Sequence, residues 1–143
     1  MKLTDLAILD WVLINNTPHK IQAIDSIDAE ILADDELYYV GEDRYHSEDK
    51  IEGILITPEI LEKNGFERGV VTPSNFYLNI DNERLIFSLH SSCYDLGYVH
   101  WNESNDADIM HRLEVQQPIM YIHQMQHALR LFGLDELADN FKV

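Results

Sequence analysis

The stretch Pro118 to Gly133, PIMYIHQMQHALRLFG, constrains this chain more than any other, because its pattern admits one reading. At about 100° per residue, Tyr121, Met125, Ala128, Leu129 and Phe132 fall on one side of a helix, with Ile122 at the edge. Met120 and Leu131 flank the other edge, so the apolar arc is wider than the stripe of an ordinary surface helix. The remaining strip carries His123, Gln126, His127 and Arg130. Pro118 suits the first helical turn, where a missing N–H is no loss. Gly133 stands where a left-handed C-cap belongs. A helix this apolar packs on most of its sides, and in a chain of 143 residues the natural partner is a sheet.

The strands for such a sheet are legible upstream. Trp11 to Ile14 and His19 to Ile24 flank Asn15-Asn16-Thr17-Pro18, where paired Asn favours the positive φ of a hairpin turn. Glu30 to Leu32 and Leu37 to Val40 form a second hairpin around Asp34-Asp35. Four short strands so closely spaced predict a small twisted sheet or SH3-like barrel. Residues 41–52, GEDRYHSEDKIE, are charged and lack periodicity, which predicts a loop or linker. Ile54 to Ile56 reads as a brief strand. Thr57 then serves as N-cap with Pro58 at the first helical position, and Asn64-Gly65 stops the helix after two turns, with Phe66 folding back. After Pro73 a meander begins: Phe76 to Ile80, Arg84 to His90, Tyr98 to Trp101 and Ile109 to Val115, with Asp81-Asn82 as the first turn. Asp135 to Phe141 makes a last short helix.

Charge narrows the function classes. With 10 basic and 26 acidic residues the formal balance is −16. Such a chain is repelled by nucleic-acid phosphates and anionic membranes, so neither nucleic acid nor membrane is an expected partner. Acidity keeps a small protein soluble, and it suits a basic protein partner or imitation of DNA. No apolar run approaches the roughly 20 residues that span a bilayer, and the start, interrupted by Asp5 and Asp10, reads as no signal peptide. A single cysteine, Cys93, excludes an internal disulfide framework and fits the cytoplasm.

Several groups could carry chemistry. His123 and His127 stand four apart, on one helix face, as metal ligands do. Gln124 occupies the place of the glutamate that a zincin requires, and a third ligand would have to come from His90, His100, His111 or a carboxylate. The plainer reading places both on the polar strip, solvated or hydrogen-bonded to acidic surface. In HSSCYD, His90, Cys93 and Asp95 suggest a nucleophile, but a thiolate needs a base and an electropositive setting that spacing alone does not supply. Asp34-Asp35-Glu36 and Glu48-Asp49 lack the spacing and central Gly of an EF-hand loop and read as solvated turns. No Gly-rich phosphate loop, nucleophile elbow or kinase signature occurs. No cofactor is implied.

Three pieces together resemble a family. These are Asp10-Trp11-Val12 with His19 to Ile24, then Ile56 to Phe66 (ITPEILEKNGF), then Tyr121 to His127 (YIHQMQH) running on to Leu137. The chain resembles short uncharacterised proteins of gut anaerobes and their prophages. Those carry a Gly-Asn-Trp/Tyr-Val strand, an Ile-Pro-Leu-Thr-Glu-Glu-x-Leu-x-x-x-Gly-Phe helix and a terminal Tyr-Val-His-Gln-Leu-Gln-Asn helix. The resemblance implies an architecture and a mobile-element neighbourhood, and no activity. Two departures stand out: Leu9-Asp10 replaces Gly-Asn, which predicts a different turn there, and His127 replaces the final Asn. The resemblance directs attention to His123 and Gln124 as hydrogen-bonding residues between helix and sheet edge.

The expected architecture is therefore α+β: a small N-terminal SH3-like β-unit, a short helix, and an antiparallel β-meander with a C-terminal helix packed on it. It forms one domain over residues 1–143, with 1–52 and 53–143 as its two parts. The expected function is that of a non-enzymatic acidic interaction or accessory module with a protein partner. The alternatives are a metal-dependent enzyme using His123 and His127 and a DNA-mimicking inhibitor.

Overall fold

Positive backbone φ at polar residues sets the first sheet. Asn15 (φ 50°) and Asn16 (φ 69°) close one hairpin, and Asp34 (φ 50°) and Asp35 (φ 65°) close another. Asn and Asp enter this left-handed region more readily than other side chains do. The computed structural model describes residues 3–26, 28–40, 49–81, 83–90, 93–100, 110–111 and 119–143. The first turn joins β1 (Trp11–Ile14) to β2 (Thr17–Asp25), and the second joins β3 (Glu30–Ala33) to β4 (Glu36–Tyr39). A fifth strand, β5 (Ile51–Gly53), returns to pair with β1, giving the antiparallel order β4-β3-β2-β1-β5. Along β1 and β3, buried and half-buried residues alternate, as the two-residue period of a strand demands. Inward residues of β1 and β3, with Ile21 of β2 and Ile51 of β5, build a core of Val12, Ile14, Ile21, Ile31, Ala33 and Ile51.

The β5 strand departs from the loop expected over residues 41–52. Residues 41–48 lie outside the described residues. Beyond them, Asn15 donates its backbone N–H to Lys50 O at 2.9 Å and Asn15 Oδ1 accepts from Lys50 N–H at 3.1 Å. Those bonds start the pairing, and Ile51 completes the apolar face. A strand this short and this charged shows no period of its own.

The second sheet follows a short helix. Thr57 Oγ1 accepts from Ile60 N–H at 3.3 Å and caps α1 (Pro58–Lys63), and Phe66 folds back by donating its N–H to Leu61 O at 3.0 Å. Then come β6 (Glu67–Arg68), β7 (Asn75–Ile80), β8 (Glu83–His90), β9 (Cys93–His100) and β10 (Met110–His111), in the order β10-β9-β8-β7-β6. The expected meander is present, with β9 beginning five residues earlier than the pattern suggested. Trp101 and most of Ile109 to Val115 lie outside the described residues. Leu61, Phe66, Phe76, Leu85, Phe87 and Leu96 are buried here, and Phe66 meets Phe87 edge-on at 5.7 Å.

The C-terminal helix, α2 (Ile122–Leu131), starts later than the periodicity suggests. Pro118 lies outside the described residues. Tyr121 is extended (φ −116°, ψ 152°) and forms an isolated antiparallel bridge with Leu55. Ile122 donates its N–H to Ile54 O at 2.9 Å. Backbone pairing thus claims residues that helical periodicity would assign to the first turn. Gly133 (φ 74°) ends the helix as expected, and α3 (Asp135–Asp139) follows.

The α+β class holds, with two antiparallel sheets, short helices and a helical C-terminus. By its contacts the chain divides into Met1–Leu55 with Tyr121–Phe141 and Val143, and Ile56–Met120 with Lys142. The terminal helix therefore belongs with the N-terminal sheet, whereas the sequence suggested the meander. The side chains of its polar strip explain why.

Candidate functional site

Gln126 is fully buried, although the helical wheel places it on the polar strip. Its Nε2 donates to Leu9 O at 2.9 Å and to Ala138 O at 2.8 Å, and its Oε1 accepts from Trp11 N–H at 3.0 Å. One amide thereby satisfies backbone groups from the segment before β1, from β1 itself and from α3. A buried amide with all three partners in place stabilises, whereas each orphan among them would cost about 1–3 kcal/mol.

Asp10 is also fully buried, one residue before β1. Its Oδ2 accepts from Ala7 N–H at 2.8 Å and lies 2.7 Å from His127 Nε2, and its Oδ1 accepts from Arg130 Nη1 at 2.8 Å. Arg130 also reaches Asp139 Oδ1, through Nη2 at 3.0 Å. Burial opposes the charge on Arg130, but its hydrogen bonds to the Asp10 and Asp139 carboxylates, with their negative charge, outweigh it and hold the guanidinium pKa above its ordinary value. Around this centre the Trp11 indole donates to Phe141 O at 2.7 Å, and Lys20 Nζ donates to Asp139 O. The polar strip of α2 is thus its seat on the N-terminal unit. Leu131, at the edge of the apolar arc, is 82% exposed instead.

Asp10 and His127 are hydrogen-bonded to each other. Leu9 has φ 70°, in the left-handed region that a side chain disfavours. Leu9 N–H donates to Ile21 O at 2.8 Å and Leu9 O accepts from Gln126, so backbone bonds on both sides hold that conformation.

His123 behaves differently from His127. It is buried, and its Nδ1 has no hydrogen-bond partner. Its ring stacks on Tyr121 (5.7 Å, 11°) and meets His127 edge-on at 6.1 Å. Tyr121 in turn lies against Gly53, where an added Cβ would fall 2.5 Å from the ring, so only glycine fits beneath it. Burial pushes the His123 imidazole pKa below its usual value; Asp10 and Asp5 pull it up, and His127 adds to the lowering. Gln124, which the resemblance brought forward, accepts from Tyr121 N–H at 3.1 Å and so closes the helix start. The bond to the sheet edge is made by Gln126, which sequence reasoning left on the solvent side. Two Gln residues at alternate positions of one helix face different surroundings, and no local signal distinguishes them.

The other candidates are dispersed. His90 and Cys93 oppose each other across β8 and β9, Asp95 is exposed opposite Ser88, and Ser91 and Ser92 lie outside the described residues. His100 pairs with Glu83 and His111 with Tyr98 by strand register. Asp34 sits in its hairpin turn at 2.8 Å from His19 Nδ1, and Asp35 N–H donates to Gln22. Asp49 accepts from Asn15 Nδ2 at 2.8 Å and from Tyr39 N–H at 2.9 Å, while Glu48 lies outside the described residues. Among the described residues, no group of three or more His, Cys, Asp or Glu side chains could hold a metal ion. His123 and His127 gain no third ligand there. No described helix is long and apolar enough to cross a membrane. No family model, no curated protein and no solved structure matches the chain.

Proposed function

We propose that the chain is a non-enzymatic interaction or accessory module, cytoplasmic and mobile-element-derived, that meets a protein partner through an acidic surface. The observation that carries this reading is an apolar tip on the loop between β6 and β7. Val70 and Val71 there are 97% and 95% exposed. Gly69 N–H donates to Asn75 O at 2.8 Å, and Asn75 N–H donates to Thr72 O at 2.9 Å. Any Cβ on Gly69 would lie 2.5 Å from Thr72 O, so the loop is closed too tightly for another residue. A pinned loop has little freedom left to lose on docking. Apolar contacts inside a polar surround are the usual anatomy of a protein interface. The balance of −16 favours a basic partner over phosphates. The mobile-element setting rests on the family resemblance. The N-terminal unit reads as SH3-like from its four-strand meander and the return of β5 to β1.

Affinity capture from native lysate with the intact chain tests the reading, run beside the exposed double variant Val70→Ser/Val71→Ser. The expected result is a basic protein retained by the wild type, released as salt rises, and retained less by the variant at unchanged thermal stability. Capture of nothing specific, or an identical set with both chains, would sink the proposal.

A further inference from the structure

His123 occupies the second helical position of α2, with Ile122 as the first, and is 5% exposed. A neutral imidazole tolerates that site, because its partnerless Nδ1 needs to lose only one hydrogen bond. An imidazolium carries two N–H donors and a charge, and a buried charge requires an anion beside it.

Among the described residues, the two carboxylates that favour such a cation, Asp10 and Asp5, do not offset its burial. Asp10 is already engaged by Ala7, His127 and Arg130. Asp5, on the 3-10 turn Leu3–Asp5, is exposed to solvent. On α3, Asp139 is held by Arg130. The ring of Tyr121 covers one face of the imidazole, and His127 and Arg130 place basic groups on the same side of α2. The first turn of a helix also carries the positive end of its dipole, which disfavours a cation there.

We propose that His123 is a pH-sensitive latch for the C-terminal helix: neutral, it lets α2 seat on the N-terminal strands, and protonated, it releases that seat. The direction follows from proton linkage. Above about pH 6.5, the ordinary histidine value, the ring is neutral whether α2 is seated or released, and the latch is shut. Below it, the released state takes a proton that the seated state refuses, so release grows about tenfold per pH unit until the lowered native pKa is reached. The latch does not depend on the partner proposed above.

Hydrogen exchange on the intact chain tests it, read over α2 from about pH 7.5 to about pH 5.5 and corrected for the intrinsic chemistry of exchange. Wild type and His127→Gln are expected to open about tenfold more per pH unit below pH 6.5, while His123→Asn stays flat. Equal slopes for wild type and His123→Asn overturn the latch, as does a slope that vanishes in His127→Gln and survives in His123→Asn. Should His123→Asn not fold, the carbon-bound ring proton of His123 decides in the wild type by NMR. Titration at or above the ordinary histidine value while α2 stays protected overturns the latch, and titration below it, coupled to loss of protection, supports it.

Discussion

In the meander unit, Phe66 meets Phe87 edge-on while Leu61, Phe76, Leu85 and Leu96 are buried around the sheet. In the N-terminal unit an aliphatic core of similar kind exists, yet the seat of the terminal helix is polar: Gln126, Asp10, Arg130 and the Trp11 indole. Chain connectivity separates the two cases. The meander, β7 to β8 to β9, pairs strands that follow one another in sequence, so register is local and apolar burial suffices. The N-terminal unit must bring residues 115 to 130 positions apart into contact, as Trp11 with Gln126 and with Phe141. Apolar contact is non-directional and would accept many settings of a helix on a sheet. Hydrogen bonds to particular carbonyls accept one.

The comparison can be broken in order of expected effect. Asp10→Ala leaves Arg130 and His127 without their buried carboxylate and is expected to cost about 3–5 kcal/mol, read by urea unfolding. A loss below about 1 kcal/mol would mean that the polar seat contributes little. Gln126→Leu keeps the volume and removes three hydrogen bonds, and about 3 kcal/mol should go with them. The matching change in the meander, Leu85→Met, conserves volume in a purely apolar site and should cost under about 1.5 kcal/mol. Equal losses for Gln126→Leu and Leu85→Met would erase the distinction between the units. The smallest effect sharpens it: Leu9→Gly removes the left-handed strain at φ 70° and should gain up to about 1 kcal/mol, offset by the lost burial of a half-buried side chain. A double-mutant cycle with Asp10→Asn and His127→Asn would show whether the two changes compensate each other. Compensation appears as a double variant more stable than the sum of the singles predicts.

Local chemistry made much of this architecture legible. Asn15-Asn16 and Asp34-Asp35 announced their turns because few side chains accept positive φ, and Thr57-Pro58 with Asn64-Gly65 bounded α1 by capping. The α2 period was clear as well, down to the cap at Gly133. Where long-range pairing competes with local preference, the sequence was silent. The β5 strand exists because β1 offers it an edge, and Ile119 to Tyr121 left the helical register because Leu55 offers Tyr121 a bridge.

By itself, then, the sequence determined the turns, the caps, the alternating strands and a charge of −16, since each depends on neighbours in the chain or on summed composition. The tertiary structure alone decided that the polar strip of α2 goes inside along with much of its apolar arc. Periodicity sorts residues by polarity and assumes that polar means wet. Here backbone groups at Leu9, Trp11 and Ala138 and a buried carboxylate at Asp10 take partners from the polar strip, so Gln126 and His123 are buried along with Met125, Ala128 and Leu129 of the apolar arc.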